Sequence, residues 1–420
     1  MSVASPSQRR VAVAAAVLVA TALTLAVAWG RSGEPAQAAP GEGWVGTWAT
    51  ALAPAGGGIA AKGFTNQTVR MTVRASVGGD QARIRLSNVF GTQPLTVGRA
   101  TLALPVANDT PQIQPATLRE LTFDGRQQVT VPKGGQVLSD PVPMGVQALQ
   151  ELTVSVFLPV ATGPVSFQFN AREPAYVGAG DQAAKAEYAV TDSRNYWFFL
   201  SGVDVRTAHD AGAVAVIGDS LTAANGSTLG LHRRWTDYLS ARLHDDAGEA
   251  DPAVLNLGLA GNALTHDGSE IGFPELGVNG LARFLRDGPG QTGVHTVVVA
   301  LGINDIQIYD ESPERIIFGL RQLATQAREL GLRVIGCTLG PFQGFSSWTP
   351  GKENTRLAVN AYLRDSAQFD DVIDLDAVLR DPDASAKLRA AYDSGDHIHP
   401  NDAGNEAIAK AVPLDQLAGS

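Results

Sequence analysis

Cysteine is almost missing from this chain: Cys337 is the single one in 420 residues. One thiol cannot close an internal disulfide, so the tertiary structure must hold by packing, and the apolar run Val334 to Leu339 around Cys337 predicts a buried thiol. Histidine is scarce too, with seven in the chain, and no His and carboxylate cluster has the spacing of a metal centre. Metal-dependent hydrolysis is thereby disfavoured, and no cofactor or metal is expected. Basic residues are in deficit, 32 against 42 acidic, giving a net charge of −10. An acidic surface repels phosphate backbones, which excludes nucleic acid as an expected partner. After residue 29 no apolar run approaches the roughly 18 residues that span a bilayer.

What is present begins with a leader-like segment. Arg9 and Arg10 precede the apolar run Val11 to Trp29, and Ala36-Gln37-Ala38 offers a small-residue processing site. Residues 1–38 are therefore expected to be a signal peptide cleaved after Ala38, with a weak hint of twin-arginine export; retention of the run as a membrane anchor is the alternative. The leader holds three arginines and one glutamate, leaving 382 residues with 29 basic and 41 acidic side chains and a net charge of −12. That length suits two domains.

The texture of the chain changes near residue 206. Before it, Thr68–Val77 alternates polar and apolar residues, Gly78-Gly79-Asp80 marks a turn, and Ala82–Val89 alternates again, the pattern of a hairpin. Leu95–Leu104, Gln127–Val131, Glu151–Leu158 and Val165–Asn170 are further β-like runs. Residues 39–205 are thus expected to form an antiparallel, jelly-roll-like β-sandwich. From 206 to 420, strands at Ala213–Gly218, Ala253–Leu257, Thr296–Leu301, Arg333–Leu339 and Asp371–Leu375 alternate with amphipathic segments around Leu231–His244, Val278–Arg286, Pro313–Leu330, Glu353–Gln368 and Ala403–Ala411. This alternation predicts an α/β domain with a doubly wound, five-stranded parallel sheet.

Four polar segments follow the predicted strands on one side of that sheet. Gly218-Asp219-Ser220-Leu221 follows the first strand, Asn256 to Asn262 (NLGLAGN) the second and Gly302-Ile303-Asn304-Asp305 the third; Asp396-His397-Ile398-His399-Pro400 precedes the last helix. The carboxyl ends of such strands are where ligands bind, and a serine on the turn into a helix stands beside free main-chain N–H groups. Taken alone each segment reads as a turn or a helix cap. In this order they resemble the four blocks of the SGNH/GDSL hydrolases, over residues 213 to 411, whose fold is a flavodoxin-like parallel sheet.

The resemblance implies a role for each matching position. Ser220 is the nucleophile, His399 the base and Asp396 its orienter; the N–H groups of Ser220 and Gly261 and the side-chain amide of Asn304 form the oxyanion hole, with Gly258 as the alternative glycine. Asp396 would reach the imidazole if its segment made a helical turn, in which residues three apart are neighbours. His397 is the rival base. Asp219 and Asp305 are expected to hold loops by accepting from main-chain N–H groups, and His266-Asp267 to be a solvated loop or a substrate contact. Asp370, Asp371, Asp374 and Asp376 read as strand-end and capping carboxylates. The α/β-hydrolase elbow G-x-S-x-G is excluded because Thr222 stands where its second glycine belongs.

The expected activity is that of a secreted carboxylic ester hydrolase releasing short acyl groups from carbohydrate or small esters. A lipase or arylesterase on longer or aromatic esters, and a catalytically inactive carbohydrate-binding protein, are the alternatives. Phe342, Phe345 and Trp348, in the loop Gly340–Pro350, either line an acyl or sugar pocket or pack over the sheet edge.

Overall fold

The run Ala213–Gly218 is buried along its whole length because both of its faces are covered. Ala213, Ala215 and Ile217 enter one apolar cluster and Val214 and Val216 another, the alternation that a central parallel strand imposes. In the computed structural model, which describes residues 43–208, 211–246 and 252–417, this strand (β1) sits inside a five-stranded parallel sheet. Its partners are β2 (Ala253–Gly258), β3 (Val294–Ala300), β4 (Arg333–Cys337) and β5 (Asp371–Ile373), in the order β2-β1-β3-β4-β5. The order reverses at β1, which opens a crevice beyond its carboxyl end. The expected leader, residues 1–38, lies outside the described residues.

Eight helices of this half are used below: α1 (Ser220–Ala223), α2 (Trp235–Asp246), α3 (Gly280–Asp287), α4 (Ile303–Gln307), α5 (Pro313–Glu329), α6 (Pro350–Asp365), α7 (Leu375–Leu379) and α8 (Asp402–Ala411). Phe284 of α3, Leu320 and Leu323 of α5, and Val359 and Leu363 of α6 cover one face of the sheet. Trp235 and Leu239 of α2, Leu379 of α7 and Ile408 of α8 cover the other. Two helices begin earlier or later than their apolar period suggests. The α6 helix starts at Pro350 because Thr349 caps it, accepting from the N–H of Lys352. Residues 231–234 stay outside α2, with His232 in the left-handed region and Leu231 exposed.

The preceding half is antiparallel throughout. One sheet joins Gly43–Ala49, Leu200–Thr207 and Gly79–Ser87 with two short strands; a second runs Asp192–Arg194, Ala175–Ala179, Gln67–Arg74, Glu151–Leu158, Arg99–Ala103 and Arg119–Leu121; and two strand pairs stand apart, Leu95–Val97 with Val129–Val131 and Phe167–Gln168 with Trp197–Phe198. The expected hairpin is corrected here. Gln67–Arg74 pairs with Glu151–Leu158 and Ala175–Ala179, whereas Gly79–Ser87 pairs with Leu200–Thr207 in the opposite sheet. An inward and outward alternation satisfies a crossover between facing sheets as well as it satisfies a hairpin. The run Leu95–Leu104 likewise divides at Gly98 into strands of different sheets.

The core of the sandwich is continuous with one face of the parallel sheet, since Val45, Val73, Ile84 and Leu255 belong to one cluster. Gly46 donates to Thr292 O at 2.9 Å, and Val254 N–H to Ser76 Oγ at 3.2 Å.

Candidate active site

Gly218 ends β1 and lets the chain turn hard, because a Cβ there would fall 2.1 Å from Thr222 Oγ1. Asp219 then caps α1, accepting from Leu221 N–H at 2.9 Å, and Ser220 takes the first helical position. The helix lasts one turn, closed by Ala224 in the left-handed conformation. Ser220 is thereby fixed at the sheet's carboxyl edge.

His399 reaches it from the loop before α8. His399 Nε2 lies 2.8 Å from Ser220 Oγ, and Nδ1 lies 2.5 Å from Asp396 Oδ2. No helical turn brings Asp396 and His399 together. The loop is pinned by a bridge between Asp393 and Pro400 and by Ser394 N–H donating to His399 O, while Asp396 Oδ1 accepts from the N–H groups of Ile398 and His399. The carboxylate therefore orders its own loop with one oxygen and holds the ring with the other. Burial works to raise the Asp396 carboxyl, but the His399 ring and the two N–H donors outweigh it and hold it well below the ordinary range. His397, left-handed at φ 70°, turns away to Asp393 Oδ2 at 2.7 Å and lies against Gly344, so it is no competitor for Ser220.

The second and third polar segments flank the serine. Gly261 adopts φ +74° in the loop after β2. Asn304, on α4 after β3, is fully buried; its Oδ1 accepts from Gln307 at 2.6 Å and one N–H of Nδ2 goes to Asn262 O at 2.9 Å. That fixes the amide's orientation and leaves its second N–H available. Asp305 ties the two segments together, accepting from Leu264 N–H at 2.7 Å, Thr265 N–H at 2.9 Å and Thr265 Oγ1 at 2.7 Å. Gly258, the alternative glycine, has a different job: a Cβ there would lie 2.3 Å from Ala223 N, so its bareness lets β2 approach the backbone of α1.

Several residues that hold this site carry no motif. Arg283 of α3, wholly buried, donates to Gly218 O at 2.7 Å, Leu257 O at 2.9 Å and Asn262 Oδ1 at 2.8 Å, binding the ends of β1 and β2 to the loop beyond. Its signal was legible: Arg283 and Asp287 lie four apart on the face that also carries Phe284. Asn256 donates to Thr222 O and Thr236 Oγ1, both at 2.7 Å, joining α1 to α2. The antiparallel half contributes as well. Gln168 Nε2 donates to Gly258 O at 2.8 Å, and Asn170 Nδ2 to Asn225 Oδ1 just past the nucleophile helix.

Asp219 is enclosed completely. Burial, with the Asp305 carboxylate nearby, lifts its carboxyl to about 7 against the opposing pull of Leu221 N–H, His399 and Arg283. Burial likewise raises Asp305. His266 bridges Glu270 and Glu311, each at 2.9 Å, and stacks on Tyr309 at 4.3 Å, while Asp267 caps the turn Gly268–Ile271. The carboxylates around β5 are spoken for: Asp374 and Asp376 by Arg364, Asp376 also by Arg356, and Asp370 by Val334 N–H and Arg328. Among the described residues no three His, Cys, Asp or Glu side chains are grouped to hold a metal ion. Cys337 is buried. Phe342 is buried, and Phe345 and Trp348 pack against the core as half-buried side chains.

A hydroxyl with a ring nitrogen on it and a carboxylate behind the ring is equipped for acyl transfer, and an oriented amide stands at the end of the neighbouring strand β3. Residues 216–407, which hold all of these groups, match the family model described as the GDSL-like Lipase/Acylhydrolase family. The chain carries a GDSL-like lipase/acylhydrolase domain. The enzyme is a carboxylic ester hydrolase. Among solved structures, its GDSL domain is similar to the inhibitor-bound aryl esterase of M. smegmatis, with 21% identity over 49% of this chain and 100% of that one at a TM-score of 0.38. It is also similar to a catalytic mutant of an acetylxylan esterase from Geobacillus stearothermophilus (19%, 50% and 95%, 0.37). A GDSL-like lipase from Bacteroides thetaiotaomicron VPI-5482 is a third (15%, 48% and 86%, 0.36). No curated protein matches the chain.

Proposed function

We propose that this GDSL esterase is an exported serine hydrolase that releases short acyl groups, acetyl foremost, from carbohydrate or small esters. The observation that carries the reading is the pair of contacts on His399: 2.8 Å from Nε2 to Ser220 Oγ and 2.5 Å from Nδ1 to Asp396. As Ser220 Oγ attacks the ester carbonyl carbon, His399 Nε2 accepts its proton and Asp396 steadies the imidazolium. The carbonyl oxygen becomes an oxyanion facing the N–H groups of Ser220 and Gly261 and the second N–H of Asn304 Nδ2. Donors held in place before charge develops favour the transition state over the substrate, and one such donor is typically worth about 10² to 10³ in turnover. The imidazolium then protonates the leaving alcohol as the ester C–O bond breaks. Water, deprotonated by His399, attacks the acyl-serine carbonyl, and as the acyl–oxygen bond breaks the imidazolium returns that proton to Ser220 Oγ, freeing the acid and the serine.

The test is turnover of p-nitrophenyl acetate, butyrate and palmitate, together with acetate release from acetylated xylan. Fast acetate cleavage that vanishes in Ser220→Ala, with acetate freed from xylan, is the expected result. A palmitate preference would replace the reading with a lipase. No turnover of any ester, with glycan binding intact, would replace it with a binding protein.

A further inference from the structure

A cleft of about 330 Å³ opens between the antiparallel half and the GDSL domain, and the catalytic machinery described above does not use it. Phe167, Phe169, Tyr196 and Arg194 line it from the antiparallel half, Glu275 and Leu276 from the other. Its position is set by two contacts. Leu276 lies against Gly261, whose missing Cβ would be 2.5 Å from Leu276 Cδ2, so one side chain separates the cleft from the loop of the expected oxyanion hole. The segment that carries Phe167 and Phe169 is also the one whose Gln168 and Asn170 are fastened to Gly258 O and Asn225.

The lining has two kinds of surface. Phe167 meets Tyr196 edge to face at 5.5 Å and lies tilted against Phe169 at 6.3 Å, and Phe169 and Tyr196 remain half-buried, leaving aromatic surface for a ligand. Against this platform stand Glu275, whose carboxylate packs on Gly56 with Oε2 buried and without a hydrogen-bond partner among the described residues, and the exposed Arg194, which pairs with Asp192 at 2.6 Å and donates to Ser193 O at 2.7 Å. An aliphatic acyl chain would cover the rings and leave the carboxylate unanswered, at a desolvation cost. An aryl group has a face for the rings and no hydroxyl for Glu275. A pyranose has both: C–H faces that lie on aromatic rings, and hydroxyls that donate to a carboxylate and accept from a guanidinium.

We propose that this cleft is the subsite for the alcohol side of the ester, a sugar ring of an acylated carbohydrate, and that the antiparallel half is thereby the specificity element of the enzyme. The proposal rests on the esterase reading above. It is tested by kcat/KM on acetylated xylotetraose and on p-nitrophenyl acetate for wild type, Tyr196→Ala and Glu275→Gln, with thermal melts to establish folding. The ratio of the oligosaccharide value to the acetate value is expected to fall by about tenfold or more in each variant, chiefly through KM. A ratio within about twofold of wild type in both variants overturns the subsite. Calorimetric titration of unacetylated xylotetraose into Ser220→Ala gives a readout free of turnover: heat of binding abolished by adding Tyr196→Ala supports the subsite, and no binding to Ser220→Ala overturns it. Failure of the esterase reading is a separate result, namely wild type that leaves p-nitrophenyl acetate intact.

Discussion

Replacing Gly261 by alanine imposes two costs that the structure keeps distinct. The backbone at φ +74° disfavours any Cβ, by about 1–2 kcal/mol. The new methyl would also sit 2.5 Å from Leu276 Cδ2, 3.2 Å from Cγ and 3.3 Å from Cδ1, so rotating the isopropyl group cannot clear it and the whole side chain must move. Overpacking of that kind costs about 1–3 kcal/mol, for a total of about 2–5 kcal/mol in Gly261→Ala. Displacing the N–H from the oxyanion should lower kcat on p-nitrophenyl acetate by about 10²-fold. Leu276→Ala in the same chain relieves the overlap and leaves the backbone cost in place. A double-mutant cycle, read by urea unfolding with tryptophan fluorescence, should therefore return a coupling energy of about 1–3 kcal/mol between the two positions. Gly258→Ala provides the contrast. Its methyl would meet Ala223 N at 2.3 Å and Thr222 C at 2.7 Å, backbone atoms that no side-chain truncation can withdraw, so Leu276→Ala should leave its cost unchanged. Coupling below about 0.5 kcal/mol at the first pair, or Gly261→Ala with undiminished kcat, would refute the reasoning.

Gln168→Leu keeps the volume of the side chain but orphans Gly258 O, and is expected to cost about 1–3 kcal/mol in denaturant unfolding and to slow ester turnover although the residue lies in the other half of the chain. His232 sits between Glu151 at 2.5 Å and Glu173 at 3.1 Å; burial opposes its charge, but the two carboxylates outweigh it and push the ring up to about 9. Its contribution to stability is thus full below the unfolded value of 6.5 and lost as the pH rises through about 9, and His232→Gln should remove that part of the melting profile. Asp219, lifted to about 7, has the opposite sense for a carboxyl: the native state binds its proton more tightly than the unfolded chain, so stability falls as the pH climbs from 3.8 to about 7. Asp219→Asn, which can still accept from Leu221 N–H, should raise the melting temperature more at pH 8 than at pH 4; an equal gain at both would count against a buried charge.

The parallel sheet was legible because β1 to β5 are short apolar runs separated by helices with strong periods, and local pattern determines both. The contact of His399 with Ser220 was legible because motifs name the hydroxyl at the end of β1 and the imidazole in the loop before α8. What escaped depended on distance in the chain. Thr68–Val77 and Ala82–Val89 look like a hairpin until their long partners Glu151–Leu158 and Leu200–Thr207, far along the chain, are known. The pairing of Asp396 with His399 was anticipated, but its means was not, since a carboxylate capping its own loop leaves no periodicity to read. Gln168 and Asn170 lie in a run of plain β character, and nothing local reveals that their amides cross to another layer.

The shared core has a consequence for how such a chain can be handled and how it can diverge. A fragment beginning at residue 206 would expose Leu255 and strip Gly258 O and Val254 N–H of their partners, so the hydrolase half is not a cassette to be excised or grafted. Recombination with a foreign sandwich would have to import a matching amide at position 168 and a hydroxyl at position 76 to keep those two contacts.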